Sequence, residues 1–548
     1  MLGWLVSLLL LGVPAYQVAP PQTDPTLAQL SKLRLDKSQV YSVRDITINR
    51  DALSITLNRG AIAFTEAING KVTGAVFIGS GDILAIPPDP IEKKQLFRYT
   101  KAALLTEHFE TAIFRFTDGT WEEIVKEYKR HALETTDAAD IDALLRWESE
   151  LQRRGGFLNE RLLSDLIGSK DRPFFLAQIE GSKFGWFDAI DDERRAEEIF
   201  IQQNTTASAT PLVWVSFNKR SESRDPSITA VEDKSLFEVV AADSDNGLLR
   251  LKVKADGERV FELPMSSAGV TQVSVNDSPV PFVATANHLT VILPEPSRVG
   301  AEIVLAIEVP QERRATLFSG LTPRTNSLMP ASYRDEWIIE GLGNYALALS
   351  DPTILQSARE YLLTASPEGG SPESPGPVWI GFRMTQPRAP QGMSALRSKS
   401  IWIVHMLRNV VQRDDRDPAF GRFLDEVVNE GRTKRISTFD FKRLAEKHAG
   451  KPLDWFFDSW VFGTGIPSYT VSYKAEAAAN GFVISGEITQ SGVPEGFEMQ
   501  VPVYADDTFL GNVMVSGNSG EFRFTSTTMP QHIILDPRQT VLRRDQAR

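Results

Sequence analysis

The sequence predicts a multidomain α+β protein: a β-rich region, a β-sandwich, a helical region and a second β-sandwich, in that order. Three observations carry this. The chain has 548 residues, too many for one core, and suggests about three or four domains. Period-two alternation of apolar residues begins at Val43, is clearest over 267–309 and returns after 466. Between those last two stretches, residues 325–465 carry apolar residues at helical spacing.

In order along the chain, Met1 to Ala15 reads MLGWLVSLLLLGVPA. An apolar run too short to span a bilayer, ending in small residues, predicts a signal peptide over 1–15 and an exported protein, periplasmic or extracellular. No other stretch reads as transmembrane. Residues 16–36 are polar and Pro-containing and are expected to be a linker. A β-rich domain with helical inserts follows over 37–215. Asn69-Gly70 marks a hairpin there, and Thr120 with Glu123 predicts a capping box for a helix ending near His131. Residues 235–312 predict a β-sandwich from the alternation of Leu289, Val291 and Leu293 and of Ile303, Leu305 and Ile307, with Asn276-Asp277 as a turn. In 325–465, Trp337, Ile338, Leu342 and Tyr345 share one helical face. Residues 366–392, rich in Pro, Gly and Ser, are expected to form a loop. Ile401 to Val411 is a second helix, and Ser437 with Asp440 caps a third. Trp455, Phe456 and Trp460 form a packing face, stopped by Gly463 and Pro467. Residues 466–548 return to strands as the second sandwich.

The composition excludes several chemistries. There are 71 acidic and 59 basic residues, for a net charge of −12, which argues against nucleic acid or anionic lipid as a partner. Cysteine is absent, so disulfides, thiolate nucleophiles and Cys-ligated zinc do not arise. The sequence holds no G-x-S-x-G elbow, P-loop or dinucleotide fingerprint. The acidic run AIDDERRAEEIF (189–200) reads as an exposed helix or turn.

Four words in the helical region carry a resemblance. They are SYRDEWIIEGLGNY (332–345), GPVWIGFR (376–383), KSIWIVHMLR (399–408) and DWFFDSWVFGTGIPSY (454–469). In this order they resemble the M1 family of zinc aminopeptidases, the gluzincins, in its bacterial form. NGKVTGAVFIGSG and PPDPIEKKQL, near the front, resemble the N-terminal extension of some large bacterial relatives. The resemblance implies that 235–312 is part of the family's N-terminal sandwich and that 325–465 is a shortened remnant of its thermolysin-like catalytic domain. It also implies that Glu340 stands where the family has its third zinc ligand.

The rest of that site does not follow. The family's H-E-x-x-H word would fall on Leu317, Phe318 and Leu321, none of which ligates a metal or moves a proton. The family's oxyanion-stabilising tyrosine would fall on Arg397, expected to be a solvated surface residue. His405 is expected to be structural. Glu340 alone is a poor metal site, and its bland role is a solvated or salt-bridged glutamate. The reading is therefore a catalytically degenerate homologue with no catalytic residues and no cofactor of its own, zinc belonging to active relatives. Its expected partners are peptides or proteins. Two alternatives stand beside it: an active zinc aminopeptidase whose missing segment is a gene-model error, and a structural scaffold of the cell envelope.

Overall fold

In this computed structural model, the described residues are 24–131, 138–154, 156–203, 211–219, 234–285, 288–318, 321, 328–364, 376–385, 389–412, 414, 416–479 and 481–544. The signal peptide expected over 1–15 lies outside them, as do residues 366–375 and 386–388 of the expected Pro/Gly/Ser loop. The architecture is mixed α+β with antiparallel sheets.

The first sheet has eight strands paired in chain order: β1 (Leu35–Arg50), β2 (Leu53–Thr65), β3 (Gly74–Ala85), β4 (Leu105–Phe116), β5 (Phe174–Gly181), β6 (Gly185–Asp192), β7 (Ile199–Gln203) and β8 (Leu212–Phe217). One face encloses an aromatic core with Phe64, Phe77, Phe109, Phe114, Phe175 and Trp214. The other is covered by α1 (Pro25–Ser31), α4 (Ala138–Leu145), α5 (Glu148–Arg153) and α6 (Gly156–Ile167), through Leu30, Leu144, Leu151 and Leu163. Two helices connect strands: α2 (Pro90–Thr100) and α3 (Thr120–His131). Burial on both faces explains why Ala61-Ile62-Ala63-Phe64 is continuously apolar where a half-solvated strand would alternate.

Two expectations change here and one is met. Residues 24–36, expected as linker, hold α1, capped by Asp24, and bury Leu27, Leu30 and Leu33 against the sheet. The Thr120–Glu123 capping box does not form. Thr120 Oγ1 donates to Asp118 Oδ1, and Glu123 pairs with Arg50 instead. The Asn69-Gly70 turn is present, with both φ angles positive (51° and 78°) between bridged Ile68 and Lys71.

The second unit is a two-layer sandwich. Its strands are β9 (Phe237–Asp243), β10 (Leu248–Val253), β11 (Val260–Leu263), β12 (Gln272–Val275), β13 (Ser278–Pro279), β14 (Phe282–Ala284), β15 (Leu289–Ile292) and β16 (Glu302–Glu308). A five-stranded sheet, β13-β12-β16-β10-β9, faces a three-stranded one, β11-β15-β14. Leu249, Leu251, Leu305 and Ile307 meet Phe261, Leu289 and Val291 between them. The short helix α7 (Gln311–Arg314) follows.

The helical layer holds α8 (Glu336–Ser350), α9 (Thr353–Leu363), α10 (Ala389–Val411), α11 (Ala419–Gly431), α12 (Thr438–Ala449) and α13 (Asp454–Trp460). Helix α10 is central: Ile401, Trp402, Ile403, Val404, Met406 and Leu407 are all buried, so this stretch is apolar nearly all round. It crosses α8 closely. A Cβ on Gly341 would lie 2.9 Å from Ser400 O and from Val404 Cγ2, so only glycine fits. The loop expected over 366–392 ends early. Residues 378–385 form tight 3₁₀ turns, with φ +53° at Gly381, and α10 begins at Ala389.

Six strands close the chain: β17 (Ser468–Ala478), β18 (Gly481–Ser491), β19 (Glu498–Ala505), β20 (Thr508–Ser516), β21 (Ser519–Ser526) and β22 (Ile533–Leu535). They form one sheet in the order β17-β18-β21-β20-β19-β22 rather than two separate sheets. Its first strand comes back beside the chain end, where Ser468 bridges Arg544. Its core is continuous with the helices: Trp460 lies 5.1 Å from the Phe497 ring and donates to Met499 Sδ. No helix among the described residues is long and apolar enough to cross a membrane.

Candidate functional site

Helix α8 presents Glu340. Ser332 and Asp335 cap the turn 333–335 with a reciprocal box, and Asp335 Oδ1 also accepts from the Thr438 amide at 2.6 Å. Trp337 Nε1 donates to Thr438 Oγ1 at 2.9 Å. These contacts turn Trp337, Ile338, Gly341 and Tyr345 into the core. Glu336 and Glu340, one turn apart, are left on a part-exposed face.

The partner of Glu340 is a cation carried by the chain itself. Arg397 Nε donates to Glu340 Oε2 at 2.8 Å. Asn344 Nδ2 approaches the same oxygen at 3.4 Å and donates to Glu340 O at 2.6 Å. Arg397, expected to be a solvated surface residue, is thus an exposed arginine with a defined partner. Burial, and then the neighbouring charge of Glu340, push the Glu336 carboxyl above its ordinary range.

The three other positions implied by the resemblance lie elsewhere. Leu317, Phe318 and Leu321 sit in the core of the sandwich, each at most 5% exposed. Glu340 belongs to the helical layer instead. The residues around Glu340 do not fit a zinc ion. One carboxylate faces a guanidinium, and no second donor of the kind zinc requires is contributed by Leu317, Phe318 or Leu321. Among the described residues, no group of three or more His, Asp and Glu side chains is placed to hold a metal.

His405, on α10, links three elements. Its Nε2–H donates to Gln539 O at 3.2 Å, which leaves Nδ1 to accept from Tyr345 Oη at 3.3 Å. Burial holds its pKa below the ordinary value. Phe456 and Trp460 are fully buried and Trp455 partly so. A depression of about 450 Å³ on the first sheet is lined by Thr56, Asp82, Thr106, His108 and Lys183, on β2 to β4 and the turn before β6, and includes none of the residues around Glu340.

The acidic run 189–200 is the clearest correction among charged residues. It was expected to be exposed. Asp191 and Asp192 at the end of β6 and Glu197 and Glu198 just before β7 are instead buried. Asp192 pairs with Arg161, Asp191 with Lys219, and Glu198 with Lys234. The β6–β7 connection holds these carboxylates where cations from other segments reach each of them.

Glu197 enters a larger group that sequence reasoning missed. Arg383 clamps Glu92 bidentately, Nη1 to Oε1 at 2.7 Å and Nη2 to Oε2 at 2.8 Å. Arg334 bridges both acids, with Nη2 to Glu92 Oε1 at 2.9 Å and Nε to Glu197 Oε1 at 2.6 Å. Tyr333 Oη donates to Glu197 Oε2 at 2.6 Å. Burial raises the pKa of Glu92, but Arg383 and Arg334 outweigh it and hold the carboxyl below its usual range. Burial pushes the Tyr333 phenol up. Arg334 and Arg383 stand within a few residues of the buried Trp337 and Trp379, but nothing along the sequence marks Glu92 and Glu197 as their partners.

No family model and no curated protein matches the chain. Among solved structures it is similar to the crystal structure of Legionella pneumophila aminopeptidase A in complex with aspartic acid, at 8% identity and a TM-score of 0.34. That similarity covers 56% of this chain and 58% of the other, so the chain spans under two thirds of that protein's length. At that score the likeness carries no argument about this chain.

Proposed function

We propose that this chain is a non-catalytic relative of the zinc aminopeptidases that binds peptides or proteins rather than cleaving them. The Glu340–Arg397 pair carries the reading. A carboxylate serving as a zinc ligand needs further donors converging on the same ion. Here Glu340 engages a guanidinium, and aliphatic and aromatic side chains at 317, 318 and 321 support a sandwich core. The words that resemble the family support kinship through packing residues such as Trp337, Gly341 and Trp460. Export is part of the same proposal and rests on the apolar run from Leu2 to Val13.

The test is direct. Purified full-length protein is assayed for zinc by atomic absorption and for cleavage of aminoacyl anilides with and without chelator. Substoichiometric zinc and no chelator-sensitive cleavage are expected. One zinc per chain with chelator-sensitive turnover overturns the reading. Calorimetry against a peptide library checks binding, and mass spectrometry of protein recovered from the producing cell checks removal of 1–15.

A further inference from the structure

The Glu92, Glu197, Arg334 and Arg383 quartet lies where two units meet. Glu92 is on α2 and Glu197 just precedes β7, so both acids belong to the unit of the first sheet. Arg334 and Arg383 belong to the turns that flank α8 and precede α10. One unit therefore brings the Glu92 and Glu197 carboxylates to the boundary, with Asp89 beside Glu92, and the other brings two guanidinium groups. All four side chains are at most 7% exposed.

Strand β8 threads through the group. The Ser216 amide donates to Glu92 Oε2 at 3.0 Å, Arg334 Nη2 donates to Ser216 O at 2.9 Å, and Arg383 Nη2 donates to Trp214 O at 3.1 Å. The helical side is held rigidly. A Cβ on Gly381 would lie 2.3 Å from Tyr333 O, and the Tyr333 and Phe382 rings are 4.9 Å apart. Bidentate charge-assisted bonds of this kind are strongly directional. A buried charge that loses its partner is costly, whereas removal of a whole pair in favour of apolar groups is tolerated. Any slipped docking of the two units would leave at least one of these charges buried and unpaired.

We propose that this quartet is an interdomain lock that selects one docking register and makes the first sheet and the helical layer open as a single unit. Glu92 and Glu197 take backbone and hydroxyl hydrogen bonds from Ser216 of their own unit, but their guanidinium partners come only from across the boundary. The lock is independent of whether the chain binds peptides.

Hydrogen–deuterium exchange and thermal unfolding of the full chain test this, using Glu92→Gln, Arg383→Met and the double variant Glu92→Leu/Arg383→Met. In the parent chain, α2, β8 and residues 333–335 and 378–385 should exchange with one common protection. Each single variant should raise exchange at least about tenfold on both sides together and lower Tm by about 5 °C or more. The double variant should be less destabilised than either single variant, because no charge is stranded. Exchange that rises only on the side carrying the substitution overturns the proposal. So does a double variant whose loss equals the sum of the two. If the single variants do not fold, Tyr333→Phe removes just one donor to Glu197, and a one-sided response there overturns the lock equally.

Discussion

Arg397 Nε donates to Glu340 Oε2 across 2.8 Å and ties the first half of α10 to α8. The pair occupies the carboxylate that a metal would need, but Arg397 is more than half exposed. Water and salt screen such a pair, so its energetic weight is small.

Arg397→Ala should therefore cost less than about 1 kcal/mol in chemical denaturation. It should also leave the zinc content unchanged, since freeing one carboxylate adds no second ligand. Tight zinc binding by Arg397→Ala in calorimetry would mean that further donors reach Glu340.

Placing ligands at the family positions should damage the sandwich without building a site. Leu317→His and Leu321→His each bury an imidazole among Leu249, Leu305 and Val309 and remove an aliphatic group from a closed core. Each should lose about 3 kcal/mol or more in urea unfolding. Gain of stoichiometric zinc by the pair of substitutions would contradict the placement of these residues.

Asp89 should give the stability curve an acid-side slope. Burial, and then the charge of Glu92, raise its carboxyl from 3.8 to about 6. The folded chain keeps a proton that the unfolded chain releases between those values. This contribution is complete below about pH 4 and is lost as pH rises towards 6. Asp89→Asn keeps an acceptor for the Glu92 amide, which Asp89 Oδ1 now caps at 2.8 Å. It should flatten the slope and stabilise the chain by about 1–2 kcal/mol at pH 7. Denaturant midpoints measured from pH 4 to 7 report the difference.

His405 has the opposite sign. Its pKa is lowered by burial, so the folded chain keeps the ring neutral while the unfolded chain takes up a proton near 6.5. Its stability contribution is present above about pH 6.5 and is lost as pH falls below it. His405→Gln should remove that loss while retaining a donor for Gln539 O. Thermal midpoints at pH 5 and 7 should converge in the variant relative to the parent, and an unchanged gap would show that another group carries it.

Much of the fold was legible. Alternation in 289–309 places Leu289, Val291, Leu305 and Ile307 inside the sandwich, and helical spacing around Trp337 and Trp402 marks the central helices. The Asn69-Gly70 and Asn276-Asp277 turns and the Ser437–Asp440 cap were readable because their chemistry is local. Charged residues were less readable. Asp191, Asp192, Glu197 and Glu198 read as a solvated run because their partners Lys219, Arg161, Arg334 and Lys234 lie elsewhere in the chain.

By itself, the sequence determined that Leu317, Phe318 and Leu321 cannot ligate a metal, because side-chain chemistry does not depend on the fold. It also marked the strands over 289–309 and the helices around Trp337 and Trp402, because periodicity is a property of neighbours along the chain, but not α1 or the strands within 189–200. Only the tertiary structure decided that Glu340 faces Arg397 and that Glu92 meets Arg383, 291 residues away. An ion pair depends on distance in space, and no spacing along a sequence encodes that.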